Sequence, residues 1–334
     1  MPYKSPFEPA LLRRGAVMGA LGDVGVALHF GDPDREAGAL RTAAGLVDLA
    51  WRGVIEMTGR DRARFLHGMC TNDIKKLQPG QGCLAAVVNR QGKMVSEMIV
   101  HAAENAIFLE MERSNLVPTV DHLSKFIVAD DVTFRVSDAA VLGLWGPRAP
   151  ALLAVGDLPD FHFRMREGVA IARNRTIGME GYHLIVPAAK ADEAERLLEH
   201  GVIPAGFEAH EALRIEFGFP RWGADMDATL LPMEAGLESL AISYAKGCYI
   251  GQEVIQRVKT YSEPPRMLVQ LEAQEVSAGD KVVHGADEVG TVTSASRSQA
   301  LALVRKEFKS PGTEVRVGQK IATVRAHPWQ SRLV

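Results

Sequence analysis

Cysteine is scarce: Cys70, Cys83 and Cys248 are the only three in 334 residues. An odd, widely separated set builds neither a disulfide framework nor the CxxC pairs of a zinc or iron–sulfur site. A reducing compartment fits that usage. Cys70 and Cys83 stand beside apolar residues and read as small buried hydrophobes. Long apolar runs are missing as well, and none approaches the ~20 residues needed to span a bilayer. Arg13 and Arg14 interrupt the Leu11–Leu21 segment, where a signal peptide needs a continuous apolar core. The expectation is a cytoplasmic protein without membrane contact. Nor does one sign of charge dominate. With 38 basic and 41 acidic residues the formal charge is -3, too small to steer the whole chain onto nucleic acid. GxSxG, HExxH, GxGxxG and GxxxxGKS/T are all absent, which removes the hydrolase elbow, the zincin helix, the dinucleotide fold and the P-loop.

What is present is ordinary in bulk: 47% hydrophobic and 24% charged residues, with length enough for two or three domains, each with its own core. Residues 24–30 read as a strand, and Asp32–Ala44 as a helix capped by Asp32 or Asp34. Gly45–Thr58 is β-rich and Arg62–Met69 a short helix. Gly82–Asn89 and Lys93–His101 read as a hairpin about Asn89-Arg-Gln-Gly92. Ile107–Met111 adds a strand, Asn115–Phe126 an amphipathic helix and Val132–Val136 a closing strand. A second unit follows: a strand at Val141–Leu144, a helix from Gly146-Pro147 to Val155, strands at Gly168–Arg173 and Tyr182–Val186, and helices at Ala188–His200 and Ala209–Glu216. The Gly-, Asp- and Pro-rich stretch from Arg221 to Ala245 reads as an ordered connecting surface anchored by Trp222, Met226, Leu231 and Leu237. After Glu263-Pro-Pro265 come short β segments joined by Gly and Asp turns, which predict a compact all-β barrel. The fold class is thus α+β multidomain with a C-terminal all-β barrel.

The densest chemistry lies in Lys246-Gly-Cys-Tyr-Ile-Gly-Gln-Glu253 and the Val-Ile-Gln-Arg257 that follows. Gly247 and Gly251 permit sharp backbone geometry, and Gly251 precedes a predicted helix, Gln252–Val258, whose start can meet an anionic group. Gln252, Glu253 and Gln256 offer edges that match a heterocycle. Cys248, beside Lys246 and close to a helix start, is expected to favour its thiolate. A plain turn followed by a helix is the competing reading. Asp225 and Asp227 read either as local turn bonding or as a site lining, Asp73 as a cap or as chemistry, and Trp222 as an inter-domain anchor or a stacking face.

The Lys246–Glu253 string resembles the signature of the YgfZ/IBA-type folate-binding proteins, in the superfamily of the glycine-cleavage T-protein, the aminomethyltransferase. The resemblance runs along almost the whole chain, through Phe65-Leu-His-Gly-Met-Cys-Thr-Asn-Asp73, Asn89-Arg-Gln-Gly92, Gly181-Tyr-His-Leu-Ile-Val-Pro187 and Ala212-Leu-Arg-Ile-Glu216. It continues in Gly223-Ala-Asp-Met-Asp227, Leu231-Pro-Met-Glu-Ala-Gly236 and Arg266-Met-Leu-Val-Gln-Leu271. It implies a three-domain cloverleaf around a channel for tetrahydrofolate or a one-carbon derivative. The expected division is 1–50 with 137–245 as a discontinuous folate-binding domain, 51–136 as a second, 246–263 as the signature and connector, and 264–334 as the barrel. The implied role is assistance to iron–sulfur cluster assembly or repair, with assembly factors, [4Fe–4S] client enzymes and tRNA-modifying radical enzymes as partners. A lone thiol does not hold a four-cysteine cluster, so no stably bound metal is expected.

On this resemblance the chemistry falls to Cys248, Lys246 and Glu97. Folate contacts fall among Asn72, Asp73, Glu180, His183, Arg221, Trp222, Glu234, Tyr249, Gln252, Glu253 and Arg257. Two positions depart from the aminomethyltransferase pattern. Its Asp-Asp pair is Ser96-Glu97 here, and Glu97 carries its charge about an ångström further out, a displacement that catalysis tolerates poorly. Its pterin-binding glutamate is His183, which offers no bidentate carboxylate. Glu180 and Glu234 are the candidates for the missing carboxylate. An accessory folate-binding protein is therefore the leading expectation. A folate-dependent aminomethyl- or methyltransferase using Glu97 and a partner-binding scaffold are the alternatives.

Overall fold

The computed structural model describes residues 2–325; the end of the expected barrel segment, 326–334, lies outside the described residues, as does Met1. One sheet has six strands in the order Phe163–Arg166, Val169–Arg173, Gly181–Val186, Ala140–Trp145, Gly45–Asp48 and Ile203–Pro204. Ala140–Trp145 and Gly45–Asp48 are buried at every position. Both faces of these strands are covered, so they read as unbroken apolar runs rather than as alternation. Helices Pro33–Thr42 and Phe207–Phe217 cover one face through Ala37, Leu40, Ala209 and Leu213. Helices Ala149–Leu153 and Glu193–Glu199 cover the other. Asp32 caps the first of these helices by accepting from the N–H groups of Asp34 and Arg35.

A second sheet runs Gly82–Val88, Met94–Ala102, Ile107–Glu112, Arg52–Thr58, Thr133–Val136. Helices Arg62–Met69 and Leu116–Ser124 pack on its outer face through Leu66, Leu116 and Leu123. The hairpin turn is the one expected: Asn89 Oδ1 accepts from the N–H groups of Gln91 and Lys93. The inner face meets the Arg221–Ala245 stretch, whose Trp222, Met226, Leu230, Met233 and Leu237 are buried against Leu84, Ala86, Val88 and Ile99. The connecting surface is thus a wall of the molecule's middle.

The third body is a closed antiparallel barrel of Arg266–Glu272, Gln299–Arg305, Asp287–Ser296, Lys281–His284, Glu314–Val317 and Lys320–Arg325. Closure leaves no open strand edge, and its interior is filled by small branched side chains such as Val269, Val292, Val304 and Val324. Among the described residues no helix is long and apolar enough to cross a membrane.

Three local expectations change. Gly45–Thr58 is divided between the two sheets at Leu49–Trp51. Ala188–His200 breaks into a short turn, Ala188–Lys190, and a helix, Glu193–Glu199; the acidic residues Glu193 and Glu195 suit a helix start there. Val17–Leu21 and Phe163–Arg166 are strands that the sequence did not announce, since both lie at sheet edges and alternate poorly.

Candidate functional site

The two sheets, the Arg221–Ala245 wall and helix Phe207–Phe217 enclose a narrow polar cavity with about 40 Å³ of water-accessible space. The second sheet supplies a periodic set. Glu97, Ile99 and His101 alternate along one strand, and Glu110 and Glu112 along the next, so their side chains share the inner face. Arg52 begins the neighbouring strand, paired in register with Glu112. From the first sheet comes His183, whose cross-strand neighbours are Gly143 and Ala172. Those two small residues leave room for the imidazole. Gly181 is required by the same packing: a Cβ there would lie 1.8 Å from Cδ1 of Trp145, whose ring meets His183 edge-on at 5.5 Å.

Glu110, fully buried, is the hub. Its Oε1 accepts from Arg52 Nε at 2.7 Å and from His183 Nδ1 at 2.8 Å, and His101 Nε2 lies 3.5 Å from Oε2. Burial alone would lift this carboxyl, but His183 and Arg52 outweigh it and hold it well below the usual carboxylate range. Glu97 is 3.7 Å from Arg52 Nη1; burial raises its pKa, with Arg52 pulling the other way. Burial likewise lifts Glu112 to about 7, against the pull of Arg221. Arg221 bonds Glu112 at 3.2 Å and Glu211 at 3.1 Å. The chain of charges continues through Arg214, which bonds Glu211 at 2.8 Å, Asp225 at 2.6 Å and the barrel's Ser294 at 3.0 Å. Glu211 is drawn down to about 2: its burial is outweighed by Arg214. His210, buried between Trp51 and Trp145, is pushed down to about 3 by burial.

Of the residues singled out from sequence, the cavity gathers Glu97, His183, Arg221 and Trp222. It adds Arg52, Asn174, Thr176, His210 and Arg214. Glu110 stands behind the lining. These were missed, although the alternation of Glu110 and Glu112 within the apolar run Ile107–Glu112 is a legible signal. The other candidates lie elsewhere. Asn72 donates to the carbonyls of Leu84 and Leu240, and Asp73 pairs with His67 and Lys76. Glu180 pairs with Arg173 at 2.9 Å. Glu234 is buried, accepting from Lys93 at 3.2 Å, from Leu231 N–H at 2.8 Å and from Arg266 at 3.3 Å. Neither Glu180 nor Glu234 lines the cavity: Glu180 is held by Arg173, and Glu234 by Lys93 and Arg266. Asp225 is a buried clamp between Arg214 and Thr293, whereas Asp227 bonds locally to Thr229.

The Lys246–Glu253 string also departs from its expected arrangement. Lys246 is turned inward and donates to the carbonyls of His67 and Cys70, the latter at 2.6 Å. Its ammonium sits 4.7 Å from the Tyr249 ring centroid. The predicted partnership of Lys246 with Cys248 is therefore replaced by a clamp on the end of helix Arg62–Met69. Tyr249 is buried in the central apolar cluster, and Gln252 accepts from the Tyr249 N–H at 3.3 Å. Glu253 and Arg257 face outward on helix Gln252–Tyr261. Ile250 N–H bonds Gly68 O at 3.1 Å. Gly251 has φ +81°, and a Cβ there would lie 2.3 Å from the Asn89 carbonyl oxygen. In this pinned loop Cys248 is exposed, while Cys70 is buried and Cys83 half-buried. Cys248 is not part of the cavity lining.

This arrangement of two sheets and a barrel about a polar cavity is the fold of the crystal structure of glycine cleavage system aminomethyltransferase T from Bartonella henselae. The TM-score is 0.91 over 98% of each chain, at 23% identity. The family model described as the GCVT N-terminal domain matches residues 7–246, and that of the CAF17 C-terminal β-barrel domain matches residues 266–332. The chain belongs to the GCVT family. Among curated relatives, the aminomethyltransferase of Geobacillus thermodenitrificans is 30% identical over 99% of each chain. That of Streptomyces coelicolor is 30% identical over 90% of this chain and 88% of its own.

Proposed function

We propose that this protein is a tetrahydrofolate-binding accessory protein of the YgfZ/IBA type, acting in the cytoplasm in the assembly or repair of iron–sulfur clusters. The observation that carries this reading is the division of labour in the Lys246–Glu253 string. Lys246, Tyr249 and Gln252 hold the backbone in place, and the thiol of Cys248 faces outward between them, as does the carboxylate of Glu253 on the helix that follows. A soft sulfur ligand on a rigid loop suits brief contact with an iron–sulfur cluster carried by another protein. The match of the C-terminal barrel to the CAF17 domain supports the same branch.

The cavity is the candidate folate site. Its chemistry fits a flat heterocycle: Arg52 and Asn174 as donors, Glu97 and His183 as acceptors, Trp222 as an aromatic wall. When bound, the folate supplies or carries a one-carbon unit. The chain's own residues orient it, exclude water through Leu49, Trp51 and Phe219, and keep Glu97 beside Arg52.

Calorimetric titration with tetrahydrofolate and its 5-formyl form tests this on the unmodified chain and on Cys248→Ala. Modest affinity, changed little by the substitution, is expected, together with failing [4Fe–4S] enzymes in Cys248→Ala cells under oxidative load. Normal cluster enzymes in those cells would remove the accessory role. A second reading, an aminomethyltransferase, is favoured by the names of the curated relatives and by Glu97, a buried carboxyl of raised pKa in the cavity. Robust turnover with lipoylated carrier protein would establish it and displace the first.

A further inference from the structure

His67 lies in the last turn of helix Arg62–Met69, against the loop that carries Cys248. Its Nε2 is 3.5 Å from the point where a Cβ of Gly247 would stand. The Cys248 Cα is one peptide step, about 3.8 Å, from that of Gly247. Thiol and imidazole are therefore within reach of one bound group. The histidine is only 8% exposed, and among the described residues neither of its ring nitrogens makes a hydrogen bond. Nδ1 is shielded from water, and Asp73 Oδ1 stands 3.3 Å away without completing a bond to it. A buried imidazole left in this state costs stability. It marks a place where a group from outside belongs.

The state of the ring fits it for ligation. Asp73 faces Nδ1 and draws the ring proton there, so Nε2 keeps its lone pair. A carboxylate behind a histidine in this way is how metal-ligating imidazoles are oriented. Burial and the Lys246 ammonium hold the imidazole below its ordinary pKa and hence neutral. Lys246 is itself fixed on the carbonyls of His67 and Cys70. Its charge, with those of Lys75 and Lys76 close by, decides what kind of group is welcome. A bare divalent cation is repelled. An iron–sulfur cluster is attracted, because its thiolates outweigh the charge of its core and make it an anion.

We infer that His67 Nε2 joins Cys248 Sγ as a second ligand to an iron–sulfur cluster in transit, with Asp73 as the residue that positions the imidazole. The inference rests on the accessory reading and names the residue that shares the cluster with Cys248. The other iron positions stay with thiolates of the carrier. The exchange moves no electrons. Cys248 hands its proton to the carrier thiolate it displaces, which leaves as a thiol; His67 displaces a second, which leaves as a thiolate. An imidazole in place of a thiolate raises the potential of the cluster, and a proton competes for it more readily than for a metal-bound sulfur. Such a site passes a cluster on rather than keeping it.

The probe is a glutathione-ligated [2Fe–2S] cluster, added to the full chain labelled with nitrogen-15 histidine. One cluster per chain should be captured, and pulsed EPR of the reduced cluster should show the coupling of a directly bound imidazole nitrogen. His67→Gln should remove that coupling and weaken capture at least ~10-fold. Gly247→Ala adds a methyl that meets Nε2 and nothing else within 4 Å, so it should weaken capture with the fold undisturbed; it keeps the test intact if His67→Gln misfolds. A captured cluster without histidine coupling overturns the inference and leaves the accessory reading standing, as does equal capture by the unmodified chain and both variants. Tight binding of zinc ion alone, lost in His67→Gln, would assign the pair to a bare cation and overturn it too. No capture by the unmodified chain removes the accessory reading and this inference with it.

Discussion

Arg214 and Asp225 meet 2.6 Å apart with the carboxylate side chain wholly shielded from water. The guanidinium reaches from helix Phe207–Phe217 to the wall loop, and through Ser294 and Thr293 the pair is fastened to the barrel. Breaking such a pair strands a buried charge. Asp225→Ala should lower stability by about 3–5 kcal/mol. The double variant with Arg214→Leu should recover part of that loss in a urea-denaturation cycle. A strictly additive cycle would show that the pair is uncoupled.

Gly251→Ala is a sharper local lesion. The positive φ disfavours any side chain, and the new Cβ would press on the Asn89 carbonyl at 2.3 Å. A loss of about 2–4 kcal/mol is expected from strain and overpacking. Faster hydrogen exchange across residues 246–252 should accompany it; unchanged exchange would mean that the loop accommodates the methyl.

The three thiols should separate cleanly under alkylation. Cys248 is exposed, whereas burial pushes Cys70 up to about 11 and Cys83 higher still. Iodoacetamide on the native protein should give one adduct, at Cys248, and denaturant should release the other two. Cys248→Ser should change stability by no more than about 0.5 kcal/mol. Native labelling of Cys70 would contradict the packing described above.

Acid sensitivity should trace in part to His210. Burial lowers its pKa from the ordinary 6.5 to about 3. Between those values the unfolded chain binds a proton that the folded chain does not, so stability falls as pH falls through this window. Glu211, lowered to about 2, acts in the same direction below 4.5. Glu112, raised to about 7, acts oppositely: its contribution is present at low pH and is lost as pH rises through 7. The difference in stability between the unmodified chain and His210→Phe isolates the histidine. It should change by up to about 1.4 kcal/mol per pH unit below 6.5. A pH-independent difference would show that His210 does not couple folding to protons.

The barrel was easily legible, because its strands are bounded by Gly and Asp turns; the segment Glu314–Val317 has the bounds expected from pattern alone. The hairpin at Asn89–Gly92 was legible for the same reason. The cavity was half legible. Glu97 and His183 stood out by resemblance, but Arg52, Glu110 and Asn174 matter through partners 58, 73 and 9 positions away along the chain. Periodicity says which face a side chain takes, and it is silent about what that face meets across the molecule. Lys246 shows the same limit. Adjacency in sequence suggested Cys248 as its partner, whereas the fold turned the ammonium to carbonyls 179 and 176 positions away.

Those two long-range bonds bear on the order of assembly. Loop closure over such separations is slow and entropically unfavourable until local structure exists. Both acceptors lie at the end of helix Arg62–Met69, so the Lys246 clamp that fixes the Cys248 loop exists only where that helix end is folded. A nascent or half-folded chain carries the thiol but not its presentation, so competence of this loop reports that the distant parts of the chain have already come together.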